Sequence, residues 1–253
     1  MNRKEDFIRL FTQHIKRPGA ENLLEWLEES DFFSAPASTR FHGNYEGGLC
    51  EHSVNVWEEL VRLKKAYPEV KVSAESAAIV SLLHDLCKIG CYKPELKSRK
   101  TGRTKRDGKP EWEDYIGYTF DEDFCYGGHG SKSVFLAHQY MDLTPEEAVA
   151  INCHMGPWDR SPGDYSLGTA YERYPLAWLL HVADESATYI REGKSDMNEQ
   201  TKQAILAMGA LAELSGELKR QLIKNGFTQK EALELVGRYI TATIRPTNNK
   251  EDN

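Results

Sequence analysis

Six side chains that favour metals recur along this chain, each in a distinctive phrase. They are His52 in GGLCEHSVNV, the adjacent pair His84–Asp85 in LLHDLCKIG, His129 in GGHGSKSV, His154 in INCHMG and Asp184 in HVADESAT. Imidazole and carboxylate together are what borderline divalent ions prefer. Six such ligands exceed the need of one tetrahedral site. The pattern therefore predicts two metals sharing a bridge, and a metal pair is a reaction centre far more often than a structural staple. Asp85 is the expected bridge, because a carboxylate has two oxygens whereas an imidazole normally binds one metal. Asp85 and Asp184 both fall in apolar helical stretches, where an unpaired charge is costly, so each is expected to be paired or bound to a cation. His181 lies three residues before Asp184 on the same helical face and is a candidate hydrogen-bonding support for the ligands. A single helical histidine or a His–Asp dipeptide would carry little; the conjunction of all five segments carries the reading.

The elements that must position these residues read as helices almost throughout. Phe7, Ile8, Leu10, Phe11 and Ile15 give helical spacing over 3–15, and a second helix over 20–29 follows the Pro18–Gly19 break. Helices are expected over 51–66, ended by Pro68, and over 73–87, with Ser73 as N-cap and an apolar surface nearly all round that places it in the core. The pattern breaks at 92–120, where glycine punctuation followed by Trp112, Tyr115, Ile116, Tyr118 and Phe120 predicts an inserted β-hairpin. Helices return over 130–141, over 145–154 behind Thr144–Pro145, and then over 170–192, 197–224 and 228–243, with a Gly/Pro-rich loop at 156–168. The tail after Pro246 is expected to be disordered.

The expected fold class is therefore all-α, a helical bundle with one small inserted β-hairpin. Residues 1–39 would supply N-terminal helices packed on the core, 40–192 the metal-binding core with the insertion at 92–120, and 193–253 C-terminal helices and tail of the same domain. The chain has 253 residues, 40% of them hydrophobic, enough for a substantial core. A net charge of −7 argues against a general nucleic-acid coat protein without excluding a local basic patch. The five cysteines are scattered and odd in number, with no CxxC pair. Together with the lack of an apolar signal core or an 18-residue apolar run, they predict a reduced, cytoplasmic protein with no membrane span.

GGLCEHSVNV, HDLCK and LLHVADESAT resemble the HD-domain superfamily of metal-dependent phosphohydrolases, whose pattern is H…HD…D and whose fold is a bundle of helices around the metal site. The resemblance covers about residues 40–192. FHGNYEGGLCEH is also similar to the segment before the first ligand histidine in the HD domains of certain exoribonucleases, which carry in addition an oligonucleotide-binding barrel that this chain has no room for. His129 and His154 are similar to the longer H…HD…H…H…D pattern of binuclear HD proteins, and GHGSKSV followed by HMGPWD resembles uncharacterised bacterial and prophage members. The resemblance implies His52, His84, Asp85 and Asp184 as the core metal site, His129 and His154 as the second site, and Asp85 as the bridge. Lys88 matches the lysine after the HD pair, which lies near the substrate's phosphate or the bridging water. Two positions depart from the pattern. Cys87 stands where glycine is usual, and Met155 stands where several relatives have another histidine, which weakens any third metal.

A hydroxide held between two divalent ions is a nucleophile near neutral pH, and phosphorus in a phosphoester is a natural target. Asp85 and Lys88 are then the catalytic candidates, Lys88 offsetting charge on the phosphoryl oxygens. Manganese, iron, zinc, nickel and cobalt all tolerate such ligands. Two other readings stand beside this one: a mixed-valent di-iron oxygenase with the same ligand spacing, and a regulatory module that keeps metal without catalysis. The expected partner is a phosphorylated small molecule, foremost a nucleotide. The run Lys97–Lys109, with seven basic residues against Asp107, could also steer nucleic acid, or be no more than a solvated hairpin tip. Trp112 and Tyr115 are expected either to stack on a base or to pin the hairpin to the helices. Lys132, Arg40, His42 and Arg160 are the further candidates for substrate contact.

Overall fold

The computed structural model describes residues 3–40, 42–122, 124, 126–159, 166–192, 218–219 and 221–244. The chain divides into two compact units, 1–194 and 195–253. The first is mostly helical, with one two-stranded antiparallel hairpin. Its helices are α1 (Arg3–His14), α2 (Ala20–Glu29), α3 (Gly48–Ala66), α4 (Ala74–Leu83), α5 (His129–His138), α6 (Pro145–Cys153), α7 (Ser166–Arg173) and α8 (Pro175–Ser186). Strands β1 (Tyr92–Thr104) and β2 (Pro110–Phe120) lie between α4 and α5. Among the described residues of the second unit, α9 spans Gln229–Ile244. The helix expected over 197–224 falls mostly outside the described residues, and the tail after Pro246 falls wholly outside them.

Local chemistry sets the ends of these helices. Ser73 caps α4, its side chain accepting from the Ser76 N–H. Thr144 and Glu147 close a reciprocal capping box at the start of α6, with Pro145 in the first turn. The single helix expected over 170–192 is instead two, because Pro175 fills the first position of a new helix. The residue before a proline is pushed out of the α region, and Tyr174 takes φ −131°, ψ 83°. Likewise α4 stops at Leu83, and a short 3₁₀ turn, Leu86–Lys88, follows, so His84 and Asp85 occupy a bend rather than a helix interior.

Four helices form a closed ring: α3 packs on α4, α4 on α6, α6 on α8, and α8 back on α3. Leu49, Val56 and Leu60 of α3, Ala77–Leu83 of α4, Ile151 of α6 and Leu176, Leu179 and Leu180 of α8 fill its interior. α1 leans on α3 and α4, and α5 on α6. The hairpin register pairs Tyr92 with Phe120, Leu96 with Ile116 and Lys100 with Trp112, with an irregularity between Lys100 and Thr104. Among the described residues, no helix is long and apolar enough to cross a membrane.

Candidate metal centre

Each helix of the ring delivers one side chain to a common point. His52 comes from the second turn of α3, His84 from the end of α4, His154 from the end of α6 and Asp184 from the last turn of α8. Asp85 follows His84 at φ −107°, ψ 22°, near the sparsely allowed bridge region where many active-site residues sit. His129 opens α5. Five of the six are almost wholly excluded from solvent, Asp184 being the most exposed of them at 8%. The His129 side chain retains 30% exposure and faces outward into a cleft. Three groups drawn from these residues offer ligand atoms within 4.8 Å of one another: His52–His84–Asp85, His84–His154–Asp184 and Asp85–His129–His154.

The two oxygens of Asp85 face different pairs of histidines. Oδ1 lies 2.9 Å from His129 Nε2 and 3.5 Å from His154 Nε2. Oδ2 lies 3.3 Å from His84 Nε2 and 3.6 Å from His52 Nε2, and 2.7 Å from the Lys88 ammonium. Asp184 Oδ1 approaches His52 Nε2 at 3.1 Å.

The far sides of the rings fix their tautomers. His84 Nδ1 donates to the Ser81 carbonyl at 2.8 Å, and His154 Nδ1 donates to the Ile151 carbonyl at 2.7 Å. His52 Nδ1 donates to the Glu192 carboxylate at 3.1 Å. With Nδ1 holding a proton, a neutral ring presents a bare lone pair at Nε2. His52 Nε2 and His84 Nε2 stand 3.2 Å apart, and buried His154 Nε2 has no aligned hydrogen-bond partner. Lone pairs and carboxylates thus converge on one buried point, an arrangement that only protons or metal cations can relieve. The donor set fits a borderline divalent ion.

The electrostatics agree. Burial pulls the His52 imidazolium down, but hydrogen bonds to Asp184 and Glu192 outweigh it and push the group up to about 10. Burial opposes the His129 charge as well, yet Cys87 and Asp85 raise it to about 9. Asp85 is held well below the usual carboxylate range against its burial, chiefly by Lys88 and His84, and Asp184 is held low by His52. A pocket whose carboxylates keep protons on histidines is one that attracts cations.

Glu192 was not among the residues singled out from the sequence. It stands eight residues after Asp184, which on a regular α-helix is about 80° off the same face. A π-helical turn, Ala187–Arg191, follows α8 directly, and the Glu192 N–H bonds the carbonyl of Ala187, five residues back. Such widened turns cluster at functional sites. This one sets Glu192 behind His52, where Asn55 also donates to it at 2.7 Å. His181 supports the cluster from the α6 side: its Nδ1 donates to the main-chain carbonyl of His154 at 2.7 Å rather than to Asp184.

Gly130 lets α5 come close to α6. A Cβ there would lie 2.5 Å from the Asn152 carbonyl oxygen and 2.6 Å from that of Ile151. Both atoms are backbone, so neither can swing aside. Gly130→Ala is expected to lever His129 away from His154, lowering the metal retained per chain and the melting temperature together. Elemental analysis and a thermal melt of the purified variant read both, and wild-type values in both would show that the two helices give way freely.

A cleft of about 460 Å³ opens over Asp85, Lys88, His129 and Asp184, with Tyr92, Phe120, Trp158 and Tyr189 among its walls. His42 also lines it, its ring 4.7 Å from that of His52 and neither ring nitrogen hydrogen-bonded. Arg40 is exposed and does not line the cleft. Lys132 is buried, and its ammonium is paired with Glu122 at 2.5 Å and lies 3.4 Å from Cys91 Sγ. Arg160 lies outside the described residues. No family model matches this chain, and no solved structure matches it.

Proposed function

We propose that this chain is a metal-dependent phosphohydrolase of the HD-domain kind, acting on a phosphoester of a nucleotide or nucleic acid. What chiefly supports the reading is the placement of Asp85. One oxygen faces His129 and His154, the other faces His52 and His84, and the whole sits on the floor of an open cleft. These residues would hold two divalent ions, His129 and His154 on one side of Asp85 and His52 and His84 on the other. When bound, such ions supply Lewis acidity and ionise water near neutral pH.

The chain's own residues do the rest. His52, His84 and His154 present Nε2 in a fixed tautomer because their Nδ1 protons are committed to Glu192, Ser81 and Ile151. Lys88 is held charged by Asp85 against its burial, and it lines the cleft where a phosphoryl group would lie. A fixed ammonium there offsets the negative charge that grows on the phosphoryl oxygens. The ring of helices buries the far side of the cluster, so its near side, along the cleft, is where a substrate would meet Asp85 and Lys88.

The deciding experiment combines elemental analysis with turnover of bis-p-nitrophenyl phosphate under added manganese on one preparation. The expected result is about two metals per chain with turnover. His129→Ala and His154→Ala should each lower the metal content while leaving the fold largely intact, and unchanged stoichiometry in both would sink the two-metal assignment. Two irons per chain with a mixed-valent paramagnetic signal and no phosphoester turnover would replace this reading with the oxygenase. Bound metal without either activity would favour a regulatory module.

A further inference from the structure

Among the described residues, the hairpin carries an apolar face that is left largely uncovered. Cross-strand partners project to the same side and residues two apart share it. Tyr92–Phe120, Pro94–Tyr118, Leu96–Ile116, Ser98–Asp114 and Lys100–Trp112 therefore form one continuous face. Leu96, Ile116, Trp112 and Phe120 are each more than half exposed. Exposed apolar surface of this kind marks a binding surface. The strip is interrupted once, at Asp114, whose carboxylate accepts from the Ser98 hydroxyl.

Two features say what covers it. The first is charge. Residues 92–120 hold eight basic and five acidic side chains, a net of +3 on a chain whose total is −7. Lys100 lies over the Trp112 ring, and Arg103, Lys105 and Arg106 at the tip make no ion pair among the described residues. The second is continuity. The inner end of the strip is the Tyr92–Phe120 pair, with ring centroids 5.9 Å apart, and both residues also line the cleft over Asp85 and Lys88. The strip from Tyr92 to Lys100 is about 27 Å long at a strand's rise per residue, longer than one nucleotide and matched to several.

We propose that this face of the hairpin docks single-stranded nucleic acid, whose bases lie on the aromatic strip while its phosphates meet the basic tip, and whose near end enters the cleft. Exposed aromatics interleaved with cations are how strands are held without sequence preference, because every base has a π-face. A duplex hides those faces, so it is disfavoured. The proposal rests on the phosphohydrolase reading for what happens in the cleft, but docking on the hairpin needs no turnover and can be tested separately.

The test is fluorescence anisotropy of a labelled ten-nucleotide oligothymidylate with the full chain, the strand's integrity being checked on a gel. Bis-p-nitrophenyl phosphate turnover of the wild type is measured alongside. Trp112→Ala should weaken binding about tenfold, the scale of one lost stacking contact, and Trp112→Phe should recover most of it. Replacing Arg103, Lys105 and Arg106 by alanine should lower the salt dependence of binding by about two phosphate equivalents. All these residues are exposed, so circular dichroism should show unaltered folding. Wild-type affinity in both the Trp112→Ala and the triple variant overturns the proposal, as does equal affinity for a duplex. No strand binding alongside intact phosphoester turnover overturns it too, leaving the hydrolase reading standing. Conversion of a dimer to a monomer by Trp112→Ala, without effect on the strand, assigns the face to a second copy instead. Hairpin-dependent strand binding with no phosphoester turnover keeps the docking surface and removes the hydrolase reading.

Discussion

On the proposed reading, Asp85→Asn is expected to lower phosphodiester turnover by about 10³-fold or more and to abolish metal retention. Both carboxylate oxygens are committed, one towards each pair of histidines, and an amide offers one neutral oxygen and an NH₂ that repels a cation. Asparagine is the informative replacement because it keeps the volume. Asp85→Ala would also leave the mostly buried Lys88 ammonium, now 2.7 Å from Asp85 Oδ2, without its counter-charge. Breaking a buried pair from one side costs about 3–5 kcal/mol, so that variant mixes a folding defect with the chemical one. Lys88→Met separates the two roles. It should keep the metals, because Lys88 is no ligand, and still lose about 10²–10³-fold in turnover, the scale of one removed charge-stabilising donor. Elemental analysis and steady-state kinetics of the two variants side by side read the contrast. Full metal content and turnover in Asp85→Asn would remove both the bridge and the hydrolase reading that rests on it.

The six ligand candidates could be picked out of the sequence because five segments recur together, each with histidine or aspartate in a distinctive phrase. Asp85 and Asp184 stand out further as charges in apolar runs. The hairpin was legible for a different reason: glycines and alternating aromatics break the helical period over 92–120, and the strands fall at Tyr92–Thr104 and Pro110–Phe120. What supports the ligands was far less legible. The Ser81 and Ile151 carbonyls belong to the backbone and leave no mark in residue type. Glu192 was hidden by the π-helical turn, which shifts it onto the face of Asp184 against the ordinary helical count. The break at Tyr174–Pro175 could have been read from the proline, but the apolar spacing on either side matches one long helix. Lys132 reads as a phosphate contact from its distance to His129; the Glu122 carboxylate that pairs with it is placed by how the chain returns from the hairpin, which residue types alone do not show.

Arg17→Met is expected to destabilise the first unit by about 3–5 kcal/mol, the cost of stranding a buried carboxylate, and to lower its melting temperature by about 10 °C. Arg17 stands in the turn between α1 and α2 and reaches Glu147 through both guanidinium ends, at 2.7 and 2.9 Å. Its side chain is 17% exposed and that of Glu147 is fully buried. Glu147 also accepts from the Thr144 N–H at 2.9 Å and so closes the capping box of α6. Loss of the cap alone would cost about 1 kcal/mol; the larger figure comes from the stranded charge. The pair is pH-dependent with a definite sign. Burial opposes the charge on Glu147, but Arg17 and the Thr144 N–H hold its carboxyl below the usual carboxylate range. A carboxyl depressed on folding adds stability that is complete above its unfolded value of about 4.3 and is lost as pH falls through the folded value. The gap between wild type and Arg17→Met should therefore be full at neutral pH and close in acid. Adding Glu147→Gln to Arg17→Met should recover much of the loss, because the charge is then gone from both sides. Urea titrations at pH 7 and pH 3.5 read all of this, and a loss below about 1 kcal/mol at neutral pH would show that Glu147 finds other company. The consequence reaches the candidate metal centre. α6 has nine residues, about 13 Å of helix, with Glu147 in its first turn and His154 just past its last. Freeing the first end should loosen the second, so Arg17→Met should also weaken metal retention although it touches no ligand.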